Sequence, residues 1–406
     1  MNNKKINILH IVGGKINSGA YKGASLLIKD LNNFGVDAKI LGENHSSVYL
    51  NHARKILDKI PKILYPYREQ SSFSTGFFGY NFLNHSLYKE ADIIHLNWVN
   101  NGFFNISMFD KINKPIVWTI RDMWPFTGGC HYSLSCNNFE GECGKCPQLK
   151  SKKKKDLSHL IQNRKIKYYK DKNIHFIVNS KWMYKMAKSS KVLKNENIEV
   201  FFPSFDLDNF YKEKNEDIKR LLNINTKKKI ILCGAQFIEA KYKGFQYFLD
   251  SLNFLDSQKY FLVFFGNFWS EQDIKKKSFE YINLGFINDV KKLRSIYSFA
   301  DVFVAPSIQE GFPKTVAESL LCETPVVYFS NTAVDDVCTH KQTGFAAKLF
   351  DGKQIAEGID WVTESKIRSE ELGKNGKNVV QNNFNSNLLC HKYVNLYKKI
   401  LENNII

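Results

Sequence analysis

Two glutamates, Glu310 and Glu318, stand eight residues apart in the stretch QEGFPKTVAES, Gln309–Ser319. Pro313 between them suits the first position of a helix. The amides that follow, on Lys314, Thr315 and Val316, then have no partner inside that helix, and they sit at the positive end of its dipole. Such an end holds anions, and a diphosphate would fit it. Carboxylates accept hydrogen bonds from pairs of hydroxyls. Glu310 lies in the loop ahead, with Gly311 and Phe312, and Glu318 lies just over one turn into the helix; one glutamate could hold a sugar ring and the other a ribose. The plainer reading of Glu318 is an acidic group that stabilises the helix dipole.

Other stretches carry chemistry of a less specific kind. GGKINSGAYKG, Gly13–Gly23, follows a strand and precedes a helix, and its glycines let backbone approach a ligand. Gly14 and Gly19 are the candidate ligand-facing positions of this cleft loop. The spacing is not G-x-G-x-x-G, so no dinucleotide fingerprint is read. HLNWVNNG ends another strand, and Asn97 and Trp98 are read as acceptor-lining, with a core tryptophan as the plain alternative. Cys130, Cys136, Cys143 and Cys146 form C-x5-C-x6-C-x2-C. Four thiolates in one loop suit a structural tetrahedral zinc. An iron–sulfur cluster, a disulfide pairing or unligated thiols stay open beside it. Lys150–Ser158 is a basic run, read either as solvated charge or as a contact for anionic lipid.

These residues need scaffolds, and the chain supplies two series. Short apolar runs (INILHIV, DAKIL, DIIHLNW, PIVWTI, HFIVNS, EVFFPS) alternate with helical stretches at Ala24–Gly35, Lys152–Lys172 and Lys181–Ser189. A second series begins near Lys228 with KIILCGA, YFLVFFG, YINLGF, DVFVAP and PVVYF. Continuous apolar strands alternating with helices predict parallel sheets buried on both faces. The expected class is α/β, with two Rossmann-like doubly wound domains facing a central cleft. The expected domains are 1–205, which carries the cysteine loop 130–146, and 206–385. A C-terminal helix over 386–406 is expected to pack back toward the first. Tyr67–Phe82 is expected to be a mobile loop.

The 406 residues exceed one ordinary domain, and 43% hydrophobic content excludes a disordered chain. The net charge of +18 points to an anionic partner, although a lysine-rich composition bias explains it equally well. No apolar run is long enough to span a bilayer. MNNKKINILHIVGG lacks a cleavage pattern and reads as a first strand, so a cytoplasmic protein with reduced thiols is expected.

PSIQEGFPKTVAESLLCETPVV resembles the E-x7-E segment of family 4 retaining glycosyltransferases, which have the GT-B fold. NLGFINDVKKLRSIYSFADVFVAPS resembles the segment before it, and YKGFQYFLDSL resembles the lysine-bearing helix start of that family. Asp122–Leu149 resembles a branch serving bacterial surface polysaccharides such as colanic acid, capsule or lipopolysaccharide. The resemblance spans most of Ile6–Ile400 and is tightest at Asp301–Val327 and Trp118–Leu149. It implies that Glu318 binds ribose hydroxyls, Glu310 meets the sugar, and Lys243 meets the diphosphate. The family's usual arginine near Lys243 is missing, and Lys241 is the expected substitute. Where a histidine is usual, VWTIRD has Arg121. Two readings follow: Arg121 supplies charge near the phosphate or acceptor, or His131 reaches the site. Asp122 binds acceptor hydroxyls or orients Arg121.

The resemblance implies transfer of a sugar from a UDP- or GDP-sugar to a glycan or lipid-linked glycan. An anionic membrane surface is a further expected partner, with peripheral attachment to the inner face of the cell membrane. No nucleic acid is expected. No catalytic metal is expected either, because no D-x-D stands at a strand end; Asp206–Asp208 is read as linker. Competing readings are a GT-B sugar-nucleotide epimerase, a basic nucleic-acid binder and a non-catalytic sugar-binding relative.

Overall fold

The runs read as strands pair into two sheets, each with every described pairing parallel. The computed structural model describes residues 5–403 except 17, 70, 204, 206, 214–217, 219–223, 225 and 269–270. Asp206 of the predicted linker therefore lies outside the described residues, as do the side chains at 204 and 214 near the predicted boundary. By contact the chain divides into two units. One is Met1–Ser204 with Ser386–Ile406, and the other is Phe205–Asn385.

The first sheet has strands β1 (Asn7–Val12), β2 (Asp37–Gly42), β3 (Ile93–Leu96), β4 (Ile116–Ile120), β5 (Ile174–Val178) and β6 (Ile198–Val200), in the order β2-β1-β3-β4-β5-β6. The sequence order reverses between β1 and β3, which is where open α/β sheets form a crevice at their carboxyl ends. Alternate residues face opposite layers. Leu9, Ile11, Ile94, Leu96 and Trp118 enter a core built with the loop-rich segments and helix α3 (Leu157–Tyr169). Ile8, Ile93, Val117 and Ile177 enter the other, against helix α1 (Gly19–Asn33) and the C-terminal helix α10 (Ser386–Asn403). Helices α2 (Val48–Lys59) and α4 (Lys181–Ser189) belong to the same unit.

The second sheet has strands β7 (Lys229–Phe237), β8 (Tyr260–Asn267), β9 (Tyr281–Asn283), β10 (Val302–Ala305), β11 (Val326–Phe329) and β12 (Gly344–Ala347), in the order β12-β11-β10-β7-β8-β9. Its reversal falls between β7 and β10. Helices α5 (Phe245–Ser251), α6 (Val290–Phe299), α7 (Lys314–Leu321), α8 (Gly352–Glu364) and α9 (Lys366–Asn383) pack around it.

Three local expectations need adjustment. Helix α3 starts at Leu157, not Lys152, because the Asp156 carboxylate accepts from the amides of Ser158 (2.9 Å) and His159 (3.2 Å) and sets the N-cap there. The segment Tyr67–Phe82 is no loose loop. Phe73, Ser74 and Thr75 are buried, Phe73 bridges to Cys130 as a short antiparallel pair, and Gly79 lies against the Phe104–Asn105 backbone. Strand β12 lies in GFAA, which has too little apolar bulk to read as a strand. No helix among the described residues is long and apolar enough to cross a membrane.

Candidate functional site

In the second unit, the loops leaving β7 and β10 meet at the sheet's reversal. The Tyr242 carbonyl accepts from the amides of Ile308 (2.8 Å) and Gln309 (3.3 Å). Gly244, at φ 66°, lies so close to the Pro306 carbonyl that a Cβ would collide with it. Only glycine allows that approach. The join brings Lys243 onto Glu310, whose carboxylate contacts the ammonium directly, and Ser307 Oγ donates to Glu310 Oε1 at 3.2 Å. Glu310 is buried, at 5% exposure. Burial pushes the Lys243 ammonium down to about 8, although a neighbouring carboxylate works in the opposite direction.

Glu318 lies in α7, half-buried, and its Oε2 accepts from Tyr297 Oη at 3.1 Å. Burial first, and then Glu318, raise the phenol of Tyr297 far above its ordinary range, so it remains a donor. Pro313 is the N-cap rather than the first helical residue, and no side chain caps α7. The expectation of three free amides is too generous. Lys314 N bonds the Phe312 carbonyl (3.0 Å) and Val316 N bonds that of Pro313 (3.1 Å). The Phe312 ring packs between Phe205 and Phe384, with centroids at 5.5 and 5.4 Å, and fixes the loop from behind. Gly311 and Val316 are buried, Lys314 and Thr315 are half-buried, and Lys241 is exposed on the turn before Lys243.

In the first unit, residues at the carboxyl ends of β1, β3 and β4 form two linked clusters. Asp122 Oδ2 accepts from Trp98 Nε1 (2.7 Å) and Asn100 Nδ2 (2.9 Å) and lies 3.0 Å from His131 Nδ1. Its Oδ1 accepts from Trp124 N at 3.0 Å. His131 Nε2 pairs with Ser74 Oγ at 2.8 Å. Both ring nitrogens of His131 are thus engaged internally, and its place is to hold Asp122 and, through it, Trp98. Asp122 does not orient Arg121, because every partner of its oxygens lies elsewhere. Asn97 does so: its Oδ1 accepts from an Arg121 terminal nitrogen at 3.0 Å. Arg121 Nε is buried and has no hydrogen-bond partner. Asn97 is itself 1% exposed, so it supports rather than lines a site, whereas Trp98 is half-buried.

Behind Arg121 runs a buried polar chain. Asn97 Nδ2 is 3.3 Å from His10 Nδ1, and the His10 and His95 rings lie with centroids 4.3 Å apart. His95 contacts Tyr397 Oη and Thr119 Oγ1, both at 2.7 Å, and Thr119 meets Tyr393 Oη at 2.8 Å. Burial, then Arg121, depresses His10 to about 3, so it is neutral at physiological pH. His10 Nε2 also lacks a partner. Gly14 takes φ 84°, donates to Glu43 Oε1 at 2.9 Å and faces the Trp98 ring, while Gly19 opens α1. Ser307, Tyr297, Asn100, Ser74, Glu43 and His10 were not singled out by the sequence. Only Ser307, three residues before Glu310, carried a local signal.

The four cysteines of the loop line one cavity of about 20 Å³ together with Gly128, Phe139 and Ser158. Burial raises all four thiols, Cys143 to about 12 and Cys146 to about 11. Among the described residues no three His, Cys, Asp or Glu side chains stand grouped to hold a metal ion. The thiols converge, but as placed they do not close a tetrahedral set.

Residues 214–379, which carry Lys243, Glu310 and Glu318, match the family model described as glycosyl transferases group 1. Over that stretch of its second unit the chain is similar to this family. Among curated proteins the chain is similar to the capsular polysaccharide biosynthesis glycosyltransferase CapM of Staphylococcus aureus, 28% identical over 209 residues, covering 50% of this chain and 53% of CapM. Another is N,N'-diacetylbacillosaminyl-diphospho-undecaprenol alpha-1,3-N-acetylgalactosaminyltransferase of Campylobacter jejuni, 26% identical over 51% of this chain and 53% of that protein. The chain spans about half the length of the curated relatives it matches. Among solved structures, sucrose-phosphate synthase of Thermosynechococcus elongatus aligns over 98% of this chain and 100% of its own with TM-score 0.68 at 15% identity. HepE of Anabaena, in complex with UDP-glucose, aligns over 97% and 99% with TM-score 0.64 at 14% identity. At these identities the likeness is one of fold: two Rossmann-like units of the GT-B type.

Proposed function

We propose that this protein is a retaining group 1 glycosyltransferase, moving a sugar from a UDP- or GDP-sugar to a glycan or lipid-linked glycan acceptor in surface polysaccharide synthesis. The observation that carries the reading is the Lys243–Glu310–Ser307 cluster at the reversal of the second sheet, one helix start away from Glu318. A diphosphate draws the Lys243 ammonium away from Glu310 and frees that carboxylate for sugar hydroxyls. Glu318, aligned by Tyr297, takes the ribose hydroxyls. As the glycosidic bond breaks, charge gathers on the leaving diphosphate, and Lys243 with the dipole of α7 stabilises it. No side chain of the cluster needs to become a covalent nucleophile.

The relatives favour the same substrates. CapM is named for capsular polysaccharide, and the Campylobacter enzyme for a diphospho-undecaprenol acceptor. In this reading the first unit takes the acceptor, with Trp98 as the sugar-facing aromatic and Arg121 as the local positive charge.

A thermal-shift panel of nucleotide-sugars tests the donor half. One UDP- or GDP-sugar raises Tm, and Glu318→Ala abolishes the shift. A wild type that no nucleotide-sugar stabilises sinks the reading. Release of epimerised sugar-nucleotide without acceptor would replace it with an epimerase. Donor binding without turnover on any lipid-linked acceptor would leave a sugar-nucleotide-binding relative.

A further inference from the structure

Helix α2 is inside out. A surface helix ordinarily turns its apolar stripe to the core and its charges to water. Here the polar side faces inward. Asp58 is 2% exposed and accepts from the amides of Thr75 (3.1 Å) and Gly76 (3.0 Å). Lys55 pairs with Glu43 at 2.6 Å, Asn51 Nδ2 donates to the Glu43 carbonyl at 2.6 Å, and Arg54 donates to Ser46 Oγ at 3.0 Å. The apolar side faces out: Val48 is 80% exposed, Tyr49 88%, Ile56 50% and Ile60 47%, and the following turn adds Leu64 at 80% and Tyr67 at 81%. Nine of the twenty exposed large hydrophobics among the described residues fall within residues 48–67. A patch this dense on a water-facing surface marks an apolar partner.

Charge selects the partner. Residues 48–68 carry Arg54, Lys55, Lys59, Lys62 and Arg68 against one acid, Asp58, which is turned inward. Lys59 and Arg68 remain exposed beside the apolar residues. Tyrosines stand at both ends of the segment, at positions 49 and 67, as they do where a segment lies at a membrane–water boundary. An apolar face flanked by the exposed Lys59 and Arg68, with its own acid turned inward, fits an anionic lipid surface: the aliphatic side chains enter the acyl boundary and those two basic groups reach the headgroups.

We infer that α2 and the turn to Tyr67 form a peripheral docking surface for an anionic bilayer. This surface lies outside the basic run Lys150–Ser158 and stands apart from the donor reading. The test is co-sedimentation of the full chain with vesicles of phosphatidylglycerol and phosphatidylcholine, against vesicles of phosphatidylcholine alone. Binding is expected to the anionic vesicles only and to weaken with salt. Ile60→Glu with Leu64→Glu is expected to lower vesicle affinity at least about tenfold. The nucleotide-sugar Tm shift should stay unchanged, since both residues are exposed and belong to the other unit. Three results would overturn the inference: a wild type that ignores anionic vesicles, a double variant that still binds them, or a solution dimer that the same substitutions dissociate.

Discussion

Lys243 is the residue whose ionisation links the site to pH. Burial holds its ammonium near 8, while an unfolded lysine titrates near about 10.4. Above pH 8 the free protein's Lys243 loses its charge, so diphosphate binding is expected to weaken from pH 8 to 10. Over the same window the unfolded chain binds the extra proton, so stability of the free protein from this group rises with pH. Donor titration and thermal melts at pH 7, 8 and 9.5 should show those opposite trends, and Lys243→Gln should flatten both. Glu310→Gln, which keeps the shape but not the charge, is expected to lower kcat by roughly 10²-fold or more with the fold intact; an unchanged kcat would remove Glu310 from the reaction. The positions of Glu310 and Glu318 were legible in the sequence because a proline, a loop and one helix turn set them locally, whereas their partners Lys243 and Tyr297 come from other elements. The roles of Asp122 and His131 were not. Ser74 and Asn100, which engage His131, lie 57 and 31 residues away in the chain. Spacing carries no trace of such partners.

At the scale of elements, two joints decide geometry. Gly244 lets the β7 loop lie against the β10 loop, and Gly244→Ala should cost about 1–3 kcal/mol from its φ alone, with the collision at Pro306 added. Denaturant melts would measure it, and a neutral substitution would mean the loops part freely. The cysteine loop is the second joint. Structural zinc remains our proposal for it, because all four thiols of this one loop line one cavity. Protein purified under reducing conditions should then carry about one zinc per chain, lost in Cys143→Ser. A metal-free chain with an unchanged melt would make these thiols simple packing. Of the strands, eleven were readable as continuous apolar runs, which parallel sheets require on both faces. Strand β12 was hidden by its small residues, and the packing of Tyr67–Phe82 was hidden by glycine and serine, whose burial depends on close backbone approach rather than on side-chain bulk.

At the scale of the molecule, the chain leaves the first unit at Ser204, builds the second, and returns at Ser386. Helix α10 then seats Tyr393 and Tyr397 on Thr119 and His95. Tyr397→Phe strips His95 of a buried partner and should cost about 1–3 kcal/mol, read as a lower denaturation midpoint. Residues 205–385 expressed alone should fold and keep the nucleotide-sugar Tm shift, whereas residues 1–204 alone should aggregate, because Ile8, Val117 and Ile177 lose their cover. The order of synthesis follows. While the ribosome works through the chain, the second unit becomes complete before the first, and the histidine pair of the first sheet waits open until α10 emerges. A nascent chain stalled before residue 386 would therefore hold a finished second unit and an unsealed first one, a substrate for chaperones.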